Sequence, residues 1–270
     1  MSSAQPRTEG FTKPITPAQL SEFSAFIDKL VKISGAIIGR HYLSGVAVDT
    51  KSDQSPVTAA DRDTEQALRA AIAASYPDHG IIGEEFGPHQ QDADYCWVID
   101  PIDGTKAFVT NCYIFGTLIS LMHQGRPILG ALHSPLMNHL LLGSSAGTTL
   151  NGKPVRMRSC ASIEQAMLLA TDHWDIFKYH DGPAFEKLSR QARLYRGWGD
   201  CHGYFQLATG GADIMLDPIL KIWDIMSFIP IIEGAGGRIT DWQGNSPIGA
   251  SAIVATGGAI HDAVIRALNP

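Results

Sequence analysis

Asp100 and Asp103 close an apolar run, Trp97-Val98-Ile99-Asp100-Pro101-Ile102-Asp103-Gly104-Thr105-Lys106-Ala107-Phe108. Two carboxylates at that spacing can share a hard divalent cation, which prefers oxygen ligands. The Gly-Thr behind them lets the chain turn into a helix whose first N–H groups, at Gly104 and Thr105, can face an anion. This is a metal and phosphate site in outline, and Pro101 is expected to stiffen the turn so that both acids converge. Asp-Pro and Asp-Gly are also ordinary turn chemistry, so the pattern draws its force from two further stretches. Upstream, Ile81-Ile82-Gly83-Glu84-Glu85-Phe86-Gly87 is a second apolar run ending in acids. Downstream, Trp223-Asp224 precedes an apolar stretch closed by Glu233-Gly234-Ala235-Gly236-Gly237. Acids at two strand ends and one helix start can meet in a single cleft.

The elements that must bring them together follow from periodicity and punctuation. Cys96 to Ile99 reads as a buried strand. Thr16-Pro17-Ala18-Gln19 offers an N-cap, a proline at the first helical position and the glutamine of a capping box. Apolar residues from Leu20 to Ile38 then recur at helical spacing, which predicts a helix to about Tyr42. Residues before about 14 read as a loose tail, and Lys51 to Pro56 as a polar loop. Thr58 is an N-cap for a helix from Ala59 to Tyr76, ended by Pro77. Asp61 falls in its first turn, where an acid complements the helix dipole.

Two strands, Ile114–His123 and Ile128–His133, are joined by the hairpin signal Gln124-Gly125-Arg126-Pro127, a third runs from His139 to Gly143, and Asn151-Gly152 marks a tight turn. Further on, strands are predicted at Met167–Thr171, Ala212–Leu216, Arg238–Trp242 and Ile253–Thr256. Helices are predicted at Gly182–Arg193, Cys201–Thr209, Trp223–Ala235 and Ile260–Leu268. Strands and helices without strict alternation imply layered sheets between helices, an α/β (α+β) architecture. There is no internal repeat and no linker.

Composition narrows the function. The 270 residues are 44% hydrophobic and 18% charged, an ordinary globular balance, with a net charge of -6. An acidic surface argues against nucleic acid, which is bound by clustered Lys and Arg, and an acidic protein that handles phosphate needs cations from elsewhere. Cys96, Cys112, Cys160 and Cys201 are widely spaced, with no C-x-x-C pair, and read as reduced core thiols of a cytoplasmic protein. The polar start of the chain lacks the apolar core of a signal peptide. The stretch between Arg126 and Lys153 carries no full charge but is broken by Pro, His, Asn and Ser, so no membrane span is expected. The ten histidines form no H-x-x-x-H pair, which disfavours zinc. Gly234-Ala235-Gly236-Gly237 ends a helix instead of opening one, unlike a dinucleotide loop. Trp97, Trp198, Trp223 and Trp242 read as packing residues.

Gly83-Glu84-Glu85, Asp100-Pro-Ile-Asp-Gly-Thr105 and Trp223-Asp224 with its glycine-rich tail closely resemble the inositol monophosphatase superfamily of magnesium-dependent phosphatases. The motifs occur in that family's order and span most of the chain. The resemblance implies a layered αβαβα sandwich acting as a single catalytic unit, with an N-terminal half over residues 15–160 and a C-terminal half over 161–270. It implies two to three Mg2+ ions, with Mn2+ as a substitute. Glu84, Asp100 and the Ile102 carbonyl would hold the first, Asp100, Asp103 and Asp224 the second, and Glu84 a weaker third. Val57-Thr58-Ala59-Ala60-Asp61 resembles the segment whose acid pairs with the motif threonine, here Thr105, to activate the attacking water. Gly104 and Thr105, beside Asp103, would bind the phosphate. Glu85 is either a helper of the metal site through water or a solvated surface acid. The rival phosphatases that form an aspartyl-phosphate need D-x-D near the N-terminus, whereas the acids here are D-x-x-D at residue 100.

Within the superfamily, Phe115-Gly-Thr-Leu-Ile119, Gly199-Asp-Cys-His-Gly-Tyr204, Pro230 to Gly237 and Thr240-Asp-Trp-Gln-Gly244 look like the inositol-monophosphatase-type histidinol-phosphatases. Asp200 and Asp217 are then candidate partners for a cationic leaving group. The expected partner is a small phosphorylated metabolite, and relatives are commonly homodimers. Inositol phosphates, sugar phosphates and 3′-phosphorylated nucleotides stand as alternative substrates, and a metal-dependent binding protein without turnover as an alternative class.

Overall fold

In this computed structural model, residues 15–45, 48–50 and 56–270 are described. The tail expected at 1–14 and the loop expected at 51–56 lie outside them, except that Pro56 opens a strand. The helices are α1 (Pro17–His41), α2 (Ala59–Ser75), α3 (Thr105–Val109), α4 (His173–Tyr179), α5 (Gly182–Gln191), α6 (Asp200–Ala208), α7 (Ile222–Gly234) and α8 (His261–Leu268). The strands are β1 (Val48–Thr50), β2 (Pro56–Thr58), β3 (Gly80–Gly83), β4 (Gly87–His89), β5 (Tyr95–Asp103), β6 (Gly116–His123), β7 (Arg126–Ser134), β8 (His139–Ser144), β9 (Gly147–Leu150), β10 (Lys153–Val155), β11 (Met167–Ala170), β12 (Leu194–Arg196), β13 (Ile214–Asp217), β14 (Gly237–Thr240) and β15 (Ile253–Gly257).

Helix starts follow the sequence. Gln19 N–H donates to the Thr16 hydroxyl at 3.2 Å and Thr16 N–H to the Gln19 side chain at 3.0 Å, the reciprocal capping box. The hairpin turn at Gln124-Gly125 and the turn at Asn151-Gly152 place both residues at positive φ, which Gly and Asn tolerate. The sequence reading missed α4 and the strands β1, β2, β4, β9, β10 and β12. The last four of these strands have three or four residues, too few for alternation to show.

An eight-stranded sheet runs in the order β10-β9-β8-β7-β6-β5-β3-β4, and a five-stranded sheet in the order β12-β11-β13-β15-β14. Side-chain alternation along the strands sorts the core into layers. Trp97 and Ile99 of β5 pack with Phe23, Ile27 and Leu30 of α1 and Leu68 and Ile72 of α2. Val98 faces the other way and joins Tyr204 and Leu207 of α6, Phe228 and Ile232 of α7, and Met215 and Ala255 of the second sheet. Leu168, Ile214 and Val254, on that sheet's far face, pack with Ile176 of α4, Phe185 of α5 and Val264 of α8. The result is a helix–sheet–helix–sheet–helix sandwich. α7 lies so close to the larger sheet that a Cβ on Gly130 would sit 2.1 Å from the Ser227 carbonyl oxygen, and one on Gly143 2.4 Å from Ile231 Cα. The middle layer, where α6 and α7 begin, is where the acids meet.

Candidate metal and phosphate site

β5 carries Asp100 and Asp103, which a regular strand would point to opposite faces because side chains alternate. The pairing with β6 shows why they converge. Asp100 is opposite Leu118 and Asp103 is opposite Gly116, so three steps on β5 match two on β6. This is a β-bulge, and the extra residue returns Asp103 to the face of Asp100. The turn at Pro101 expected from the sequence is therefore corrected: the strand continues through Pro101, and its carbonyl accepts the Thr117 hydroxyl at 2.9 Å. Gly104 follows at φ +82, a left-handed conformation that costs a side chain, and a Cβ there would lie 3.2 Å from the Ile114 carbonyl oxygen. Thr105 then begins α3, and its hydroxyl donates to the Ile102 carbonyl at 2.9 Å.

α7 supplies the third acid. Asp224 sits in its first turn and accepts the Lys221 N–H at 2.7 Å. One carboxylate oxygen each from Asp100, Asp103 and Asp224 lie within 4.8 Å of one another. Burial, and then repulsion from Glu84, Asp103, Asp224 and Asp61, hold the Asp100 carboxyl well above the usual range. Asp103 is raised chiefly by burial and by Asp200 and Asp224, against the Cys201 N–H, which it accepts at 3.0 Å. Asp224 is pushed up to about 7, first by burial. The Asp100 Oδ1 is buried without a hydrogen-bond partner. Buried carboxylates that repel one another, with an orphaned oxygen among them, fit a hard divalent cation, whose ligands are such oxygens.

Asp61 has a double attachment. Its Oδ2 accepts the Thr58 hydroxyl at 2.7 Å and the Thr58 N–H at 2.8 Å, so it caps α2, and it also acts on the charge of Asp100. Glu84 is the first charge felt by Asp100 after burial. Glu85 is half-buried, and its N–H donates to Glu65 at 2.7 Å.

On the second sheet's side, Thr171 links the two leaving-group candidates. Its hydroxyl donates to Asp217 at 2.8 Å and accepts the Asp200 N–H at 3.0 Å. Asp217 is 1% exposed and raised well above the usual range by burial and then by Asp200. Asp200, half-buried and at φ +49, is pushed up to about 6 by burial, which Lys106 opposes. Trp97 and Trp242 are core, as expected, but Trp198 is not: it is 43% exposed and lines a cavity of about 490 Å³ with Tyr113, Met137, His139, His202 and Phe205. The sequence reading missed Thr117, Thr171 and Glu65. Thr117 falls in the predicted strand Ile114–His123, but its pairing with the acid motif shows only in the register of β5 with β6, and Thr171 carried no signal.

Similarity to known proteins identifies the family and the fold. The model of the inositol monophosphatase family matches residues 19–270. Over 85% of its length, and 67% of the relative's, the chain is 37% identical to the chloroplastic bifunctional phosphatase IMPL2 of Arabidopsis thaliana. It is 35% identical to a histidinol-phosphatase of Chlorobaculum parvum over 82% of this chain and 85% of that one. A solved inositol monophosphatase from Zymomonas mobilis superposes with a TM-score of 0.83 at 34% identity, covering 93% of this chain and 98% of that one. Among the described residues no helix is long and apolar enough to cross a membrane.

Proposed function

We propose, on the premise that this chain belongs to the inositol monophosphatase family of phosphatases, that it hydrolyses L-histidinol phosphate to L-histidinol and phosphate. The observation that carries the hydrolytic part is the convergence of Asp100, Asp103 and Asp224 with the unpartnered Asp100 Oδ1. Glu84, Asp100 and the Ile102 carbonyl are assigned to one cation, Asp100, Asp103 and Asp224 to a second, and Glu84 to a weaker third. Magnesium, which enzymes of this family use, supplies Lewis-acid stabilisation of the phosphoryl oxygens and an acidified water, and manganese can replace it.

The protein's own groups have distinct tasks in this reading. The N–H groups of Gly104 and Thr105 orient the phosphate. The Thr105 hydroxyl orients the attacking water, and the proton that water gives up passes towards Asp61, whose carboxylate Thr58 holds in place. The leaving alkoxide belongs to an ammonium-bearing, imidazole-bearing molecule, which a carboxylate at the rim favours. Asp200 is the less buried of the two candidates, with Asp217 behind it. Support for this substrate comes from the histidinol-phosphatase relatives and from these acids.

The test is phosphate release by the pure protein with Mg2+ on L-histidinol phosphate, inositol 1-phosphate, sugar phosphates and a 3′-phosphorylated nucleotide. The expected kcat/KM for histidinol phosphate exceeds that for inositol 1-phosphate by about a hundredfold or more, since unpaired polar groups in a buried site are costly. A preference for inositol phosphate would overturn the substrate. Absence of release from every substrate would favour the binding-protein alternative.

A further inference from the structure

α2 carries three charged residues at intervals of four, Asp61, Glu65 and Arg69. Residues so spaced share one face of a helix, and here Asp61 and Glu65 fall beside the buried residues Leu68 and Ile72. Asp61 is the residue of this stripe that acts on Asp100. Glu65, one turn further, is fully buried. A charge in such a place must be paired and hydrogen-bonded, and its partners show what it serves.

The Glu65 carboxylate accepts the backbone N–H of Glu85 at 2.7 Å and of Phe86 at 3.1 Å. The Arg69 guanidinium donates to Glu65 at 2.8 Å and also to the Gly87 carbonyl. On the other side, a Cβ on Gly83 would lie 2.1 Å from Glu65 Oε1, so only glycine lets the carboxylate approach the strand end. Glu65 and Arg69 therefore grip the turn at Gly83, Glu85, Phe86 and Gly87, on both flanks of Glu84. One helix thus presents Asp61 to the site and fixes the turn that presents Glu84.

We propose that Glu65 is a positioning residue. Its carboxylate, oriented by Arg69, holds the Gly83–Gly87 turn so that Glu84 faces Asp100, and this sets the affinity of the acid cluster for its cation. The inference rests on the metal-site reading above. A leucine at position 65 would fill the same buried space without desolvating a charge, so the carboxylate is there for the hydrogen bonds it accepts.

The experiment titrates the metal-free full-length protein and its Glu65→Gln variant with Mg2+, reading the metal-induced rise in Tm alongside hydrolysis of a small aryl phosphate. Loss of the partners behind a metal ligand typically weakens metal affinity about 10- to 100-fold, so the Mg2+ concentration needed for a given Tm rise should increase by that factor. KM for the ester at saturating Mg2+ should stay within about threefold, because Glu65 touches the turn and not the ester. A variant whose metal-free Tm drops while its Tm rises with Mg2+ over the same concentrations as the wild type would show a purely structural Glu65 and overturn the proposal. Gly83→Ala covers the case in which Glu65→Gln fails to fold: it displaces the carboxylate without removing it, should raise the Mg2+ concentration needed for a given Tm rise, and overturns the proposal if it does not. A wild type whose Tm ignores Mg2+ would instead sink the metal-site reading beneath it.

Discussion

The acids of β5 and the acids around the start of α6 are held in opposite ways. Asp100 and Asp103 are aimed by an irregular backbone, a bulge fixed by Thr117, and Asp100 keeps an oxygen without a partner. Asp217 keeps a partner in the Thr171 hydroxyl, and the same hydroxyl takes the N–H of Asp200, whose backbone is left-handed. A buried carboxylate whose lone pairs the protein leaves open is prepared for a ligand, while one that the protein has already engaged acts on its neighbours. The two regions meet where Cys201 N–H donates to Asp103.

The largest effect that would break this contrast lies on the β5 side. Asp103→Asn or Asp224→Asn should lower kcat by about a thousandfold or more, since amides bind hard cations poorly. Each variant should stay folded, with a metal-free Tm at or above the wild type, because one of several mutually repelling charges is gone. Undiminished hydrolysis in excess chelator would show that the cluster of Asp100, Asp103 and Asp224 does not await a cation.

Water activation is the next largest. With Asp61 and Thr105 acting as a unit, Thr105→Ala and Asp61→Asn should each cost about a hundredfold or more in kcat, and the double variant little more than either. Additive losses would return Asp61 to its capping role at Thr58.

A smaller effect sharpens the α6 side. Asp200→Asn should raise KM for histidinol phosphate by about tenfold or more and leave a small aryl phosphate near wild type, since only the former carries a cation. Asp217→Asn should do the same if it too reads the cation. Equal losses on both substrates would mean that Asp217 works through Thr171 on Asp200 and Asp103.

How much of this was legible follows the same division. Asp100, Asp103, Gly104 and Thr105 are contiguous, and Asp224 opens a helix whose apolar run is plain, so residue type and spacing exposed them. α1 was readable from its helical spacing, α2 from its cap and Pro77, and β5 and α7 from their apolar runs, while the order of the layers came from the family resemblance. The bulge was not, since Asp-Pro-Ile-Asp reads equally well as a turn, and only the register with β6 decides. Glu65 could have been noticed as a charge on the buried stripe of α2. Thr171 could not, because its partners lie 29 and 46 residues away and depend on how β11, β13 and α6 are stacked.

The smallest effect carries the same contrast from acids to histidines. Burial lowers the pKa of both His133 and His261 to about 4, with Arg238 adding to it at His261 and Asp262 opposing. His261 is bridged on both ring nitrogens, to the Thr240 hydroxyl at 2.9 Å and the Thr256 hydroxyl at 3.0 Å. His133, 8% exposed, has a buried Nδ1 without a partner. A folded-state pKa below the unfolded value of about 6.5 gives stability that is present above that pH and is lost as pH falls towards 4, about 2 kcal/mol by pH 5 for each ring. Replacing either ring by leucine removes that loss. At about pH 7.5 the two replacements should part: His261→Leu removes two hydrogen bonds, leaving the Thr240 and Thr256 hydroxyls with only the Asp241 and Gly257 carbonyls, and costs about 1–3 kcal/mol, whereas His133→Leu removes an orphan and should be close to neutral. Urea midpoints at about pH 7.5 and about pH 5 measure both. If the two variants lose equal stability at the higher pH, an open polar atom in this protein is no different from an engaged one, and the distinction drawn between Asp100 and Asp217 loses its physical basis.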